Sequence, residues 1–130
     1  MMRARDVILV VDDNPDVLRC STSILASAGF RVQVAGDGVE AMECFHKHRR
    51  EICLVLTDIV MPGMSGLELA LKICELDPDV PILLISGYSE ALVEEEGRKT
   101  FPFIRKPFLA VDLIQKVREV LGALRPNLNR

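Results

Sequence analysis

Five polar residues stand at the ends of apolar runs, where their side chains are placed for chemistry rather than for packing. They are Asp12, Asp13, Asp58, Ser86 and Lys106. Three carboxylates that meet repel one another, so at neutral pH they share a proton or bind a cation. Carboxylate and carbonyl oxygens suit Mg²⁺ better than Zn²⁺. The pair Asp12-Asp13 alone is equally typical of a helix cap, so the metal prediction depends on all five residues converging.

Continuous apolar runs along the chain are predicted to be β-strands. VILVV, ICLVL and PILLI resemble parallel strands that are buried on both faces, whereas FRVQVA alternates as an edge strand does. The five predicted strands are VILVV (7–11), FRVQVA (30–35), ICLVL (52–56), VPILLIS (80–86) and FPFIR (101–105).

Apolar residues at helical spacing occupy the intervals between these strands. The first helix has Asn14 as its N-cap and Pro15 in its first turn, and Gly29 is its stop signal. Further helices are predicted over residues 39–48, 67–76, 90–97 and 113–124. The helix at 90–97 is the weakest of these predictions because it is short and contains consecutive glutamates.

Strict alternation of strand and helix predicts an α/β fold with a doubly wound, five-stranded parallel sheet and helices on both sides. The expected strand order is 2-1-3-4-5, the order of flavodoxin-like folds. In such folds ligands bind outside the carboxyl ends of the strands, next to the point where the strand order reverses. The five polar residues are therefore expected to face one crevice.

Length and composition limit the classes of protein to consider. The chain has 130 residues, of which 49% are hydrophobic and 27% charged, as expected for one globular domain. We expect that domain over residues 1–122, followed by a tail or linker at 123–130. A net charge of -3 argues against direct nucleic-acid binding. Without a run of about 20 apolar residues or a signal peptide, no membrane partner and a cytoplasmic location are expected.

The cysteines and histidines give no metal-binding pattern. The cysteines are widely spaced without a C-x-x-C pair, so we expect reduced thiols in or near the core. His46 and His48 are two residues apart and point to different faces of a helix, so they are expected at the surface. The four cysteines are Cys20, Cys44, Cys53 and Cys74.

Four motifs in order resemble a known family. The chain is similar to the receiver domains of two-component response regulators, either a single-domain regulator or the receiver of a hybrid sensor kinase. The resemblance extends from about Asp6 to about Gly122. The matching segments are VVDDNP (10–15), LTDIVMPGMSGLEL (56–69), ISGYSE (85–90) and FIRKPF (103–108).

The resemblance implies roles for the acidic residues. Asp58 would be the phosphoacceptor, taking a phosphoryl group from the phosphohistidine of a histidine kinase or a histidine phosphotransfer protein. Asp13 and Asp58 would hold Mg²⁺ together with the backbone carbonyl of Val60, and Asp12 would orient a metal-bound water. Lys106 would supply a mobile positive charge. On this prediction the protein is no general enzyme and catalyses only its own phosphorylation and dephosphorylation.

The resemblance also implies a switch. Ser86 and Lys106 would move onto the phosphate while Phe103 rotates inward, which shifts the fourth helix, the fifth strand and the fifth helix for a downstream protein partner. Core packing for Phe103 and a turn role for Ser86 are the simpler alternatives. The Lys106-Pro107 bond is expected to be cis, and the protein is expected to be a monomer or a weak dimer.

Two other functions compete with this one. A Mg²⁺-dependent phosphatase of the haloacid dehalogenase type also uses an aspartyl nucleophile, but it needs a second Asp two residues later, where this chain has Val60. A receiver that has lost phosphorylation is the other alternative, although every expected chemical group is present. Val60 and Tyr88 flank the path of attacking water, so slow hydrolysis of the phosphorylated state is a further hypothesis.

Overall fold

Five parallel strands form one sheet in the order β2-β1-β3-β4-β5. The computed structural model describes residues 5–87 and 101–124. The order is the predicted one, and FRVQVA is at an edge of the sheet as expected. The strands are β1 (Val7–Val11), β2 (Arg31–Ala35), β3 (Ile52–Asp58), β4 (Ile82–Ser86) and β5 (Phe103–Arg105).

Strand boundaries differ from the predictions mainly where polar residues or prolines adjoin the apolar runs. β3 continues two residues beyond Leu56, because Thr57 and Asp58 keep the parallel register with β4. Both residues are buried although neither is apolar. β4 begins at residue 82 and β5 is limited to residues 103–105, so both strands are shorter than predicted.

Helices follow four of the five strands within the described part of the chain. Asn14 caps the first helix as predicted, since its side chain accepts a hydrogen bond from the backbone N–H of Asp16. The predicted helix over residues 90–97 and Tyr88 lie outside the described residues. The helices are α1 (Pro15–Ser27), α2 (Gly38–His48), α3 (Gly66–Leu76) and a C-terminal helix (Ala110–Leu124).

Two apolar layers, one on each face of the sheet, hold these elements together. Phe45 of α2 and Leu69 of α3 belong to one buried cluster, while Leu25 of α1 and Leu113 of the C-terminal helix belong to the other. Since β1, β3 and β4 are buried along their whole length, the sheet is a rigid base for the residues that follow its strands. None of the helices described is both long and apolar enough to cross a membrane.

One cysteine prediction is wrong. Cys20 is exposed, because α1 turns the neighbouring Ser21 and Leu25 toward the sheet and leaves Cys20 on the outer side. The others agree with the prediction, since Cys53 is buried and Cys44 and Cys74 are half-buried: all three are in or near the core.

The two histidines of α2 are at or near the surface, as predicted. His46 is exposed. His48 is half-buried, and its Nδ1 lies 3.5 Å from a carboxylate oxygen of Glu51.

The start of α3 is fixed by a reciprocal cap that holds the end of the loop after β3. The Ser65 hydroxyl accepts a hydrogen bond from the backbone N–H of Glu68, and the Glu68 carboxylate accepts one from the backbone N–H of Ser65. Such a cap satisfies two N–H groups that the helix itself leaves unpaired.

Replacing Ser65 by Ala should lower the free energy of unfolding by about 1 kcal/mol, because one cap acceptor is lost. Urea denaturation followed by circular dichroism measures this change. Ser23→Ala, at an exposed position inside α1, is the matched control and should leave stability unchanged or slightly raised. Equal unfolding midpoints for Ser65→Ala and the wild type would show that the cap contributes nothing.

Candidate functional site

Three carboxylates meet at the carboxyl edge of the sheet. Asp12 and Asp13 directly follow β1, and Asp58 is the last residue of the adjacent strand β3. One carboxylate oxygen from each lies within 4.8 Å of the others. Three of the five polar residues that the sequence predicted to converge therefore lie close together.

Asp58 is buried and has its two carboxylate oxygens in different surroundings. Its Oδ2 lies 3.4 Å from Nζ of Lys106, and its Oδ1 lies 3.4 Å from the backbone nitrogen of Val60. The side chain of Asp58 is only 11% exposed, whereas that of Lys106 is 36% exposed. An exposed cation thus reaches a nearly buried anion from the solvent side.

Ser86 and Lys106 reach the same edge from β4 and β5. Ser86 is the buried last residue of β4, and its carbonyl oxygen accepts a hydrogen bond of 2.8 Å from the backbone N–H of Lys106. The Lys106-Pro107 peptide is cis, as expected. This hydrogen bond to β4 therefore fixes the position of the Lys106 backbone, from which the side chain extends toward Asp58.

Asp12 is the most deeply buried of the acids and has one unsatisfied oxygen. Its Oδ1 accepts a hydrogen bond of 2.9 Å from the backbone N–H of Asn14. Its Oδ2 is buried and has no hydrogen-bond partner within the described part of the chain. Burial raises the pKa of Asp12 above its usual value, and the nearby Asp58 carboxylate raises it further, although the Asn14 N–H acts in the opposite direction.

The donor set fits a hard divalent cation. Among the residues that the structure describes, the ammonium of Lys106 pairs with one of the three carboxylates, so the described cluster keeps excess negative charge. Carboxylate oxygens alone make up the set, and the unpartnered Oδ2 of Asp12 is a buried acceptor that a cation or its bound water satisfies. The residues present therefore agree with a Mg²⁺ site.

The loop after Asp58 depends on two glycines. Gly63 has a φ of 75°, a left-handed conformation that other residues adopt only with strain. Gly66, the first residue of α3, lies so close to β3 that an added Cβ would be 2.0 Å from the Asp58 carbonyl oxygen. Nothing in the sequence indicated that Gly66 touches the backbone of Asp58.

Val60 and Phe103 were both assigned roles by the sequence, and the structure places them in different surroundings. Val60 is 52% exposed beside Asp58. Phe103 of β5 is half-buried, packs against the apolar layer that contains α2 and α3, and pairs with Leu84 of β4. It also lines a groove of about 520 Å³ between β5 and the C-terminal helix. Packing is thus one role of Phe103, and its part in switching stays a prediction.

Comparison with known proteins identifies the family. The profile of the response regulator receiver domain matches residues 8–118. The chain therefore belongs to the response regulator receiver domain family. Members of this family are signalling modules of two-component systems that interact with histidine kinases or phosphotransfer proteins, and they bind Mg²⁺ at an acidic pocket.

Several relatives and solved structures cover most of this chain. The response regulator receiver protein CpdR of Brucella abortus is 33% identical over 89% of this chain and 97% of its own length. The sensor kinase CckA of the same organism is also 33% identical, but this chain covers only 12% of its length. The CheX-CheY-BeF3-Mg²⁺ complex of Borrelia burgdorferi has a TM-score of 0.81 and 33% identity, covering 88% of this chain and 87% of that one.

The raised pKa of Asp12 gives a stability prediction. Because its folded pKa lies above the ordinary value of 3.8, the unfolding free energy falls as pH rises through the folded pKa, and the loss persists at neutral pH. Asp12→Asn should therefore be more stable by about 1 kcal/mol at pH 7, since its amide donates to the neighbouring carboxylates. Thermal unfolding without divalent ions measures this difference, which should shrink near pH 4.

Magnesium should reverse the order of stability, so that the wild type becomes more stable than Asp12→Asn. At about 100 times its dissociation constant, a ligand of the folded state adds about 2.7 kcal/mol, and the wild type should gain more than Asp12→Asn does. Asp79→Asn, at an exposed position before β4, is the control and should respond as the wild type does. Equal melting temperatures with and without Mg²⁺ in the wild type would contradict the proposed cation site.

Proposed function

We propose that the protein is a phosphorelay receiver in which Asp58 accepts a phosphoryl group from a phosphohistidine in a Mg²⁺-dependent reaction. The donor is a histidine kinase or a histidine phosphotransfer protein. The observation that carries this proposal is the setting of Asp58, whose carboxylate lies 3.4 Å from the ammonium of Lys106 and within 4.8 Å of the carboxylates of Asp12 and Asp13.

The transfer is a displacement at phosphorus. An oxygen of the Asp58 carboxylate forms a bond to phosphorus while the bond to the imidazole nitrogen of the donor breaks, and that nitrogen keeps the electron pair. The product is an acyl phosphate on Asp58. The end of β3 holds the nucleophile rigidly, and such positioning is most of what phosphoryl transfer requires from a protein.

Four groups are proposed to hold the metal. Asp13, Asp58 and the backbone carbonyl of Val60 would bind Mg²⁺ directly, and Asp12 would orient a metal-bound water through its buried Oδ2. Bound Mg²⁺ supplies charge neutralisation for the oxygens of the transferring group. Lys106 contributes a second positive charge from the exposed side of Asp58.

Phosphorylation is proposed to act as a switch. The added group carries about -1.5 to -2 charges, which attract the Lys106 amine and the Ser86 hydroxyl. Phe103 then turns inward and alters the face formed by the fourth predicted helix, β5 and the C-terminal helix. A downstream protein would bind that face. The domain over residues 1–122, the tail at 123–130, the cytoplasmic location and a monomer or weak dimer belong to the same proposal.

A phosphatase acting on small esters is the less favoured function. Such an enzyme needs a general acid two residues after the nucleophile, and the side chain of Val60 cannot transfer a proton. A receiver reacts at most once per molecule before slow hydrolysis, so multiple turnover of phosphate esters would favour the phosphatase.

Replacing Asp58 by Asn should abolish phosphorylation and preserve the fold, since the amide occupies the same space but is no nucleophile. Wild-type protein incubated with a phosphorylated histidine kinase should carry one hydroxylamine-sensitive phosphate, detected by intact-protein mass spectrometry. Asp79→Asn is the matched control and should be labelled like the wild type. Labelling that persists on Asp58→Asn would show that another residue is the phosphoacceptor.

The exposed Val60 side chain should slow hydrolysis of the acyl phosphate by hindering in-line attack of water. The Val60→Asn, Tyr88→Glu double substitution should shorten the lifetime of the phosphorylated state, because it removes the bulk that hinders the approach of water to phosphorus. The decay of labelled protein after removal of the donor measures this. An unchanged decay rate would overturn the hypothesis.

A further inference from the structure

The peptide group that joins Asp58 to Ile59 is held at both of its ends. Its N–H donates a hydrogen bond of 3.1 Å to the carbonyl oxygen of Ile85 in β4. Its carbonyl oxygen, which belongs to Asp58, accepts a hydrogen bond of 3.0 Å from the hydroxyl of Thr57. The hydrogen bond to Ile85 belongs to the regular pairing of β3 with β4. The hydrogen bond from Thr57, in contrast, requires a hydroxyl on that side chain.

The same carbonyl group also meets the first turn of α3. A Cβ on Gly66 would lie 2.0 Å from the Asp58 carbonyl oxygen and 2.8 Å from its carbonyl carbon. The backbone N–H of Gly66 donates a hydrogen bond of 2.8 Å to the carbonyl oxygen of Ile59. The main chain of α3 therefore rests directly on the main chain of the site, and no side chain separates them.

We propose that Thr57 and Gly66 are positioning residues for the phosphoryl transfer, acting through the Asp58-Ile59 peptide on the direction of the Asp58 carboxylate. This inference rests on the proposed function of Asp58. Thr57 is fully buried one residue before the nucleophile, so it does not touch the phosphoryl donor. Gly66 is likewise buried, behind Asp58.

The physical reason is that the peptide plane after Asp58 sets the direction of its side chain. The hydrogen bonds between strands do not hold both sides of a peptide group that follows the last residue of a strand. Such a peptide group can rotate at little energetic cost unless other contacts prevent it. The Thr57 hydroxyl and the Gly66 backbone supply those contacts. A misplacement of about 1 Å at a nucleophile can reduce a rate by about 100-fold.

Thr57 allows a test that separates the hydroxyl from the packing. Thr57→Val keeps the shape of the side chain and removes the donor, and Thr57→Ser keeps the donor and removes a methyl group. Each variant is phosphorylated with a small acyl phosphate at saturating Mg²⁺, and mass spectrometry follows the product. The maximal rate should fall about tenfold in Thr57→Val and stay within about twofold of the wild type in Thr57→Ser.

The donor concentration at half-maximal rate should change by less than about twofold in both variants, because neither residue contacts the donor. The Mg²⁺ dissociation constant is measured separately, since Asp58 is a proposed metal ligand, and saturating Mg²⁺ in the rate assay keeps a change in metal affinity out of the comparison. Melting temperatures are measured to establish that each variant is folded at the assay temperature. Rates that fall equally in Thr57→Val and Thr57→Ser, or in neither, would overturn the role of the hydroxyl.

Gly66→Ala tests the second contact, with Gly36→Ala as its matched control. An added Cβ at Gly36 meets only a flexible Glu40 carboxylate oxygen at 3.7 Å, so that variant should react as the wild type does. Gly66→Ala should lower the maximal rate by about 100-fold. Should Gly66→Ala not fold, the Thr57 pair decides the proposal alone. A folded Gly66→Ala with the wild-type rate would overturn the role of Gly66.

The test also separates this inference from the proposed function. Wild-type protein that takes no phosphate on Asp58 overturns the proposed function and this inference together. Wild-type protein that is phosphorylated on Asp58, with Thr57→Val reacting at the same rate, overturns the positioning role alone.

Discussion

Electrostatic repulsion among Asp12, Asp13 and Asp58 is the constraint on which the site depends. Three carboxylates within 4.8 Å of one another are unfavourable without a counter-charge, and the ammonium of Lys106 compensates for only one of them. The fold tolerates this cost because the three central strands, β1, β3 and β4, are buried along their whole length and form a rigid base beneath the site. A dication would relieve the repulsion, so on the proposed function the same charges that destabilise the free protein prepare it to bind a metal ion.

The three acids differ in how deeply they are buried, and this difference suits each of them to a different chemical role. Asp12 is the most buried and has a raised pKa, which suits a carboxylate that acts on a bound cation rather than on a donor protein. Asp13 is exposed. Asp58 lies between these extremes and is the one acid among the described residues that is paired with Lys106, so it combines rigid positioning with access from solvent.

Sequence patterns predicted most of the fold because its apolar runs are long and its helix caps are local. Asn14-Pro15 marks the start of α1 correctly, since a cap depends on neighbouring residues only. The extension of β3 through Thr57 and Asp58 was missed because pairing with β4, a tertiary interaction, keeps two polar residues in the strand. The exposure of Cys20 was missed for a related reason, since it depends on which side of α1 faces the sheet.

The sequence predicted which residues meet at the carboxyl edge of the sheet, but not the contacts and distances between them. A general rule about the carboxyl ends of parallel strands was enough to predict that Asp12 and Asp58 lie close together. The unpartnered Oδ2 of Asp12 and the approach of Gly66 to Asp58 depend on how the loops after β1 and β3 fold in three dimensions. No motif encodes such distances, so the structure was needed to find them.

The central claim is that a captured dication makes Asp58 receptive to a phosphoryl group. Phosphotransfer from candidate histidine kinases, followed at increasing Mg²⁺ and compared with Mg²⁺ binding measured by calorimetry, tests it most directly. The account predicts that the transfer rate rises with Mg²⁺ occupancy and that a chelator stops the reaction. Transfer to Asp58 at an undiminished rate in the presence of the chelator would contradict it.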